Sequence, residues 1–498
     1  MEKKYVLAFD EGTTGCRTIL FDKRGNVVKS NYMEFTQHFP KPGWVEHDPM
    51  EIWRAQIATL KEVMKGIDPN TVDSLGITNQ RETCVVWEAD SGKPVMNALV
   101  WQDKRTSKRC LELKAKGLEP YVKENTGLII DSYFSGTKIK WILDHTPNGI
   151  ERAKNGELKC GTIDSWLIWN LTSGKSHVID YCNASRTLLF NIKNIDWDDK
   201  MLHEIGVPRE IMPKPLPSSG IFGMTDESIL EGVSIPISGA VGDQQAALFG
   251  QACFDPGMVK VTYGTGGTLV MNIGEKPTVS ENGMLTSICW GLDNKIYYSL
   301  EGLLYVVGAS VQWLRDGLKI IDNSAQSEQL AMSVEDTGNV YFVPAFVGHG
   351  APYWDQFARG TIVGITRGTQ REHIVRAALE SMAYQIRDVV ECMEIDSKIK
   401  ISEIKVDGGV CKNNFVMQFQ SDLLNIPVLR PKIVDTTARG AAFLAGLGTG
   451  FWKDKSDLLN SFELDRKFMP SMEQQKRDEL YGQWKRAVER SLNWELND

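Results

Sequence analysis

Two short Gly/Thr-rich turns, each held between apolar strand-like runs, constrain this chain more than any other feature: Asp10-Glu11-Gly12-Thr13-Thr14 and Tyr263-Gly264-Thr265-Gly266-Gly267-Thr268. Val6 to Asp10 and Arg17 to Asp22 flank the first, and Val259 to Tyr263 and Leu269 to Asn272 flank the second, so each unit reads as a β-hairpin. Glycine lets backbone N–H groups approach an anion closely, and threonine adds a hydroxyl donor without charge. A single such hairpin is only a hairpin. Two of them, one in each half of 498 residues, read as two grips on one phosphate chain.

That length exceeds what one hydrophobic core serves, so two or three domains are expected. After the first hairpin, Asn26 to Phe35 reads as a strand and Asp48 to Lys65 as a helix capped by Asp48 with Pro49 at its first position. Val72 to Thr78 is a strand that runs into Asn79-Gln80-Arg81-Glu82. Residues 201–236 are rich in Pro, Gly and Ser, and the halves are expected to meet soon after them, dividing the chain into 1–250 and 251–498. The second half repeats the order: hairpin, strands at Met284 to Trp290 and Lys295 to Leu300, then a helix from Leu303 to Arg315. Leu379, Met382, Ile386, Val389, Val390 and Met393 mark the buried stripe of one long helix. Ile404 to Asp407 is a strand broken by Gly408-Gly409 before a helix from Asn413 to Leu424, an arrangement that admits a nucleotide or simply makes a tight packing turn. Thr436 to Leu447 is a helix of small residues, suited to close packing or a close ligand.

A net charge of -8 gives the chain no reason to approach nucleic acid or a membrane surface. With no secretory segment and no membrane-length apolar run, a soluble cytoplasmic enzyme is expected. The nine cysteines are scattered without a C-x-x-C pair and the seven histidines avoid metal-ligand spacing, which predicts reduced thiols and no protein-held zinc or iron. Gly174-Lys175-Ser176 imitates the end of a P-loop, but Trp169 stands where the first glycine belongs, so a turn is expected. No G-x-G-x-x-G follows a strand, and the H-R-D catalytic-loop signature is absent.

Gly242-Asp243-Gln244-Gln245 places an acid beside two amides directly after a strand-like segment. Such a carboxylate can take the proton of a hydroxyl that attacks a γ-phosphate, or it can simply cap the following helix. Arg81-Glu82 at a strand end offers a donor fork and an acceptor, or else an ordinary surface ion pair.

In this order the pieces resemble the FGGY carbohydrate kinases of the actin-like ATPase superfamily, most closely those acting on glycerol. The strings that carry the resemblance are 43–49 (GWVEHDP), 76–83 (GITNQRET), 133–138 (YFSGTK), 242–250 (GDQQAALFG) and 407–409 (DGG), and it covers nearly the whole length. It implies an α/β fold of two actin-like, ribonuclease H-like domains around a deep catalytic cleft. Glycerol is expected mainly in residues 1–250 and nucleotide mainly in 251–498. It further implies transfer of the ATP γ-phosphate to glycerol, giving sn-glycerol 3-phosphate, with Mg²⁺. Asp10 is then the Mg²⁺-side carboxylate; Thr13, Thr14, Gly15, Arg17 and Thr265 meet the phosphates; and Gly308, Gln312, Gly409 and Asn413 hold the rest of the nucleotide. Arg81, Glu82, Trp101, Tyr133, Asp243 and Gln244 fall at the glycerol positions, with Asp243 as general base. A triol alternates hydroxyl and C–H surface, so charged or amide groups plus an aromatic wall suit it. A homodimer or larger homo-oligomer is what the family suggests.

The chain departs from the family pattern at Thr268, where an aromatic is usual, and at Glu11 and Asp103. Glu231-Gly232-Val233-Ser234 lacks the arginine of the sugar-bisphosphate regulatory loop, and Ser219-Gly220-Ile221-Phe222-Gly223 lacks a phosphorylatable histidine. Two rival functions remain at this point: a sibling kinase for another polyol or ketose, and an actin-like or chaperone-type ATPase with no small-molecule acceptor.

Overall fold

The structure, a computed structural model, describes residues 2–432, 435–459 and 461–495. Both hairpins form. In the first half, β1 (Tyr5–Glu11) pairs antiparallel with β2 (Gly15–Asp22), which pairs with β3 (Val27–Glu34). Helix α1 (Pro49–Met64) follows, its N-terminus closed by the Asp48 carboxylate, which accepts the Met50 N–H at 2.8 Å. It leads to β4 (Val72–Asn79), parallel to β1. β5 (Ser219–Met224) and β6 (Pro236–Gly242) complete a six-stranded sheet ordered β5-β6-β4-β1-β2-β3. Its outer face buries Leu7, Phe9, Leu20 and Ile77 under Ile52 and Leu60 of α1. A separate four-stranded sheet, built from Glu46–His47, Ala98–Leu99, Cys84–Glu88 and Leu158–Thr162, carries the segment that holds Trp101.

Helix α2 (Asp243–Gly250) leads into the second half. There β7 (Met258–Tyr263), β8 (Gly267–Gly274), β9 (Leu285–Leu292) and β10 (Lys295–Leu304) precede helices α3 (Gly308–Asp316) and α4 (Arg371–Ser397). After β11 (Glu403–Gly408) come α5 (Asn414–Leu424), β12 (Val428–Pro431), α6 (Thr436–Thr449) and β13 (Leu464–Phe468). These strands form a seven-stranded sheet, β9-β10-β8-β7-β11-β12-β13, in which β7 and β11 are parallel. The six stripe residues expected for the long helix are all buried on α4.

One boundary differs from the sequence reading. Leu303 and Leu304 extend β10 by pairing with Thr268 and Gly267, and the helix expected from Leu303 begins only at Gly308. Helical spacing and strand alternation both accommodate a short apolar run, and here the neighbouring β8 ladder decides. Gly174-Lys175-Ser176 lies in a turn, and all nine cysteines are free thiols, eight of them buried.

Helices α2 and α6 lie between the two sheets. A β-carbon on Gly76 of β4 would come within 2.2 Å of the Ala441 carbonyl oxygen, and one on Gly239 of β6 within 2.6 Å of the Ala445 nitrogen. The two helices also cross each other at glycines: a β-carbon on Gly250 would sit 1.8 Å from the Thr436 oxygen, and one on Gly440 1.9 Å from the Ala246 oxygen. Around this crossing Val6, Ala8 and Val241 of the first sheet and Val270 and Trp290 of the second share one core with Ala246 and Ala441. Close packing, rather than a close ligand, therefore explains the small-residue helix. Gly440→Ala would press a methyl into backbone, which cannot move aside as a side chain can, and should destabilise the protein by about 2–3 kcal/mol or more. Urea unfolding with an unchanged midpoint would contradict this.

Candidate active site

The acceptor-side residues follow from the end of β4. Arg81 and Glu82 are 4% and 1% exposed, so they are not a surface ion pair. Glu82 adopts a left-handed backbone with φ of 60°, unusual for a residue with a β-carbon. Arg81 turns toward the start of α2, its Nε 3.2 Å from Asp243 Oδ1 and 3.9 Å from Glu82 Oε1. Gly242 makes room for it, because a β-carbon there would lie 2.7 Å from Arg81 Cγ and Cδ. The remaining Arg81 edge donates to Glu301, from Nη1 to Oε2 at 2.6 Å and from Nη2 to Oε1 at 2.8 Å.

Glu82 in turn accepts from Arg186 Nε at 2.6 Å, and Arg186 Nη1 donates to Ser287 Oγ at 2.8 Å. Burial raises the Glu82 pKa, with Arg186 and Arg81 opposing it. Burial also acts to raise Glu301, but Arg186 and Arg81 outweigh it and bring that carboxyl down to about 2. Arg186 stacks over Tyr133 at 5.8 Å, and Tyr133 meets Trp101 edge-on with ring centroids 5.6 Å apart. Trp101 Nε1 donates to Thr13 Oγ1 at 3.1 Å, which ties the aromatic wall to the first Gly/Thr turn. Buried Lys138 donates to the Tyr133 carbonyl at 2.6 Å, and burial lowers its pKa to about 8. Asp103, two residues after Trp101, accepts from the Val45 N–H at 2.7 Å and from Arg105, whose guanidinium lies 3.8 Å over Trp44.

Asp243 is the first residue of α2 and Gly242 its N-cap, so the carboxylate does not cap the helix in the usual way. It accepts from the Gln244 N–H at 2.7 Å and from Gln244 Nε2 at 3.3 Å, and about a third of its side chain stays open. Gln244 Oε1 is held by Lys260 Nζ at 2.7 Å. Burial lowers the Lys260 pKa, against Asp407 and Asp243. Thr268 pairs with Thr262 and Leu303, and so shares a face of the second sheet with Lys260 and Glu301.

Thr265, Gly308, Gln312, Gly409 and Asn413, spread over 149 positions of sequence numbering, all line one cavity of about 440 Å³. The second Gly/Thr turn forms one wall, where the Thr265 carbonyl accepts the N–H groups of Val307 and Ala309 at 2.9 and 3.0 Å. Gly308 stacks under Gly264, as a β-carbon on it would be 2.5 Å from the Gly264 oxygen. Asn413 caps α5 by accepting the Val416 N–H at 3.0 Å, and Glu328 also lines the cavity while accepting the Asn414 N–H at 2.9 Å.

On the first turn, Thr14 Oγ1 hydrogen-bonds the Tyr32 hydroxyl at 3.3 Å, and a β-carbon on Gly15 would strike the same hydroxyl at 2.5 Å. Arg17 forms an ion pair with Asp435 from the second half. Asp10 pairs across the hairpin with Arg17. Burial raises its pKa to about 6, with Arg17 opposing and the carboxylates of Asp243 and Asp435 adding to the rise. Concentrated negative charge of this kind suits a hard divalent cation, with Asp10 as its protein carboxylate. Among the described residues no three His, Cys, Asp or Glu side chains converge on one metal position, so such a cation would take other ligands from water and phosphate.

Four residues beside these features escaped the sequence reading: Glu301, Arg186, Lys260 and Glu328. Glu301 and Lys260 carried a signal, a lone charge within an apolar strand, Ser299-Leu300-Glu301 and Val259-Lys260-Val261. Arg186 carried none.

A buried charge cluster at the end of β4 and a cavity behind a Gly/Thr turn in the second half fit the two-part plan of a sugar or polyol kinase. The chain belongs to the FGGY family of carbohydrate kinases, whose N-terminal domain matches residues 5–250 and whose C-terminal domain matches residues 259–449. It is 58% identical to glycerol kinase 2 of Thermotoga maritima, with 99% of each chain covered, and 57% identical to the glycerol kinase of Carboxydothermus hydrogenoformans, with 100% of each covered. The crystal structure of Plasmodium falciparum glycerol kinase with ADP superposes with a TM-score of 0.94 at 36% identity, over 99% of each chain. Gluconate kinase from Lactobacillus acidophilus shares the fold, with a TM-score of 0.86 at 22% identity over 98% of this chain and 96% of its own. No helix among the described residues is long and apolar enough to cross a membrane.

The Asp10 environment sets a pH dependence. With its pKa at about 6 against an ordinary 3.8, folded protein holds this proton more tightly than unfolded chain does. Stability contributed by Asp10 is therefore lost as pH rises through that window. Asp10→Asn should raise stability at pH 8 by roughly 1–3 kcal/mol and flatten that part of the profile. Thermal unfolding from pH 4 to 8 checks it, and identical profiles for the two proteins would refute it.

Proposed function

We propose that this enzyme transfers the γ-phosphoryl group of ATP to a primary hydroxyl of glycerol, giving sn-glycerol 3-phosphate and ADP. The observation that carries the reading is the open carboxylate of Asp243 at the start of α2, 3.2 Å from the Arg81 guanidinium. The full-length relatives named as glycerol kinases support glycerol as the acceptor.

In this reading Asp243 accepts the hydroxyl proton as the oxygen attacks the γ-phosphorus and the bond from that phosphorus to the β–γ bridging oxygen breaks. Arg81 orients Asp243, and Lys260 holds Gln244 beside it. Trp101 and Tyr133 cover the C–H surface of the triol, while Glu82 and Arg81, committed here to Arg186 and Glu301, would give up part of that pairing to serve its hydroxyls. Thr13, Thr14, Gly15, Arg17 and Thr265 meet the phosphates, and Gly308, Gln312, Gly409 and Asn413 receive the rest of the nucleotide. Asp10 would hold Mg²⁺, which neutralises phosphate charge when bound. Arg17, paired with Asp435 here, would exchange that partner for phosphate. We assign acceptor binding mainly to residues 1–250 and nucleotide binding mainly to 251–498.

Asp243→Asn should lower kcat by about 10² to 10⁴ while ADP binding holds, since a positioned base contributes that much. Unchanged turnover would end the assignment. The threonine hydroxyl at 268 favours a second reading, an acceptor larger or more polar than glycerol. Glycerol, dihydroxyacetone, erythritol and xylulose ranked by kcat/KM decide between the two, and glycerol is expected first. ATP turnover equally fast without any polyol would overturn both readings.

A further inference from the structure

Glu301 belongs to β10 of the second sheet, yet its carboxylate is spent on the first half. It is 1% exposed, takes both Nη atoms of Arg81, and lies 3.5 Å from Nη1 of Arg186. Arg186 is anchored to the second sheet again through Ser287 on β9. Here two guanidinium groups face two carboxylates across the halves, Glu82 from the first half and Glu301 from the second. A guanidinium is planar and rigid, so a two-pronged bond to its Nη edge also fixes where Nε points. In Arg81 the Nε so placed lies 3.2 Å from Asp243 Oδ1, an ion pair rather than an aligned hydrogen bond.

We propose that Glu301 is a positioning residue for phosphoryl transfer: by clamping the Nη edge of Arg81 from the opposite half, it holds the Arg81 guanidinium in ion-pair contact with the Asp243 carboxylate and so makes the placement of Asp243 depend on the two halves being together. The inference rests on the reading of Asp243 as the acceptor-side base. It adds to Lys260 a second buried charge by which the second half acts on the acceptor-side residues.

Glu301→Gln keeps the shape of the side chain and removes its charge. The expected result is a kcat about 10- to 100-fold lower, the scale of losing orientation of a catalytic group, with ATP KM and the ADP dissociation constant within twofold. Arg81→Gln combined with Glu301→Gln should be no slower than Arg81→Gln alone, because the effect of Glu301 passes through Arg81. A merely structural role would instead weaken ADP binding, since Glu301 shares its sheet with the nucleotide turn. Wild-type kcat, multiplicative losses in the double variant, or ADP affinity falling in step with kcat would each overturn the proposal. Should Glu301→Gln fail to fold, Glu301→Asp carries the same test, keeping the charge but withdrawing it from the Nη edge. Asp243→Asn measured alongside separates the two claims. Loss there without loss at Glu301 removes only the positioning role, and loss at neither removes the acceptor site itself.

Discussion

Gly250 and Gly440 meet where α2 and α6 cross, and the backbones approach so closely that neither position has room for a β-carbon. Everything at the site depends on that approach. α2 carries Asp243 at its start and α6 begins beside Asp435, so the crossing sets the distance between these two carboxylates. Gly76 and Gly239 repeat the device one layer further, seating α6 on the first sheet. Interiors pack like crystals rather than liquids, so four glycines in register fix the placement of two sheets far more tightly than apolar content alone would.

On top of this scaffold the acceptor side is held by charge. Arg81, Arg186, Glu82 and Glu301 are all nearly inaccessible to water. Such burial is expensive unless each charge is paired and hydrogen-bonded, and here two positive groups face two negative ones in alternation. The arrangement leaves the Asp243 carboxylate open while its neighbours are committed. The cavity behind the second Gly/Thr turn is built differently, from glycine backbone and helix starts, with Glu328 as the carboxylate that meets the start of α5. That difference matches the chemistry proposed for each side, a neutral polyol against an anionic phosphate chain.

The hairpins, the capped helix after Asp48, the long buried stripe of α4 and the break at Gly408-Gly409 were legible because each rests on local rules of alternation, capping or turn chemistry. Leu303 and Leu304 were not, since a short apolar run serves a strand or a helix equally and only the β8 ladder chooses. The place of Asp243 was not legible: it is the first helical residue rather than the cap, because Gly242 takes the cap and admits the Arg81 stem.

By itself the sequence determined the two Gly/Thr hairpins, the carboxylates near them and the family, because all three are written in short contiguous strings. Only the tertiary structure decided that Glu301, 220 positions from Arg81, closes on it, that Arg186 links Glu82 to Ser287, and that five separated residues line a single cavity. No periodicity or spacing encodes such pairings. They arise when two helices cross at glycine and bring the cleft-facing sides of two sheets within reach of one guanidinium.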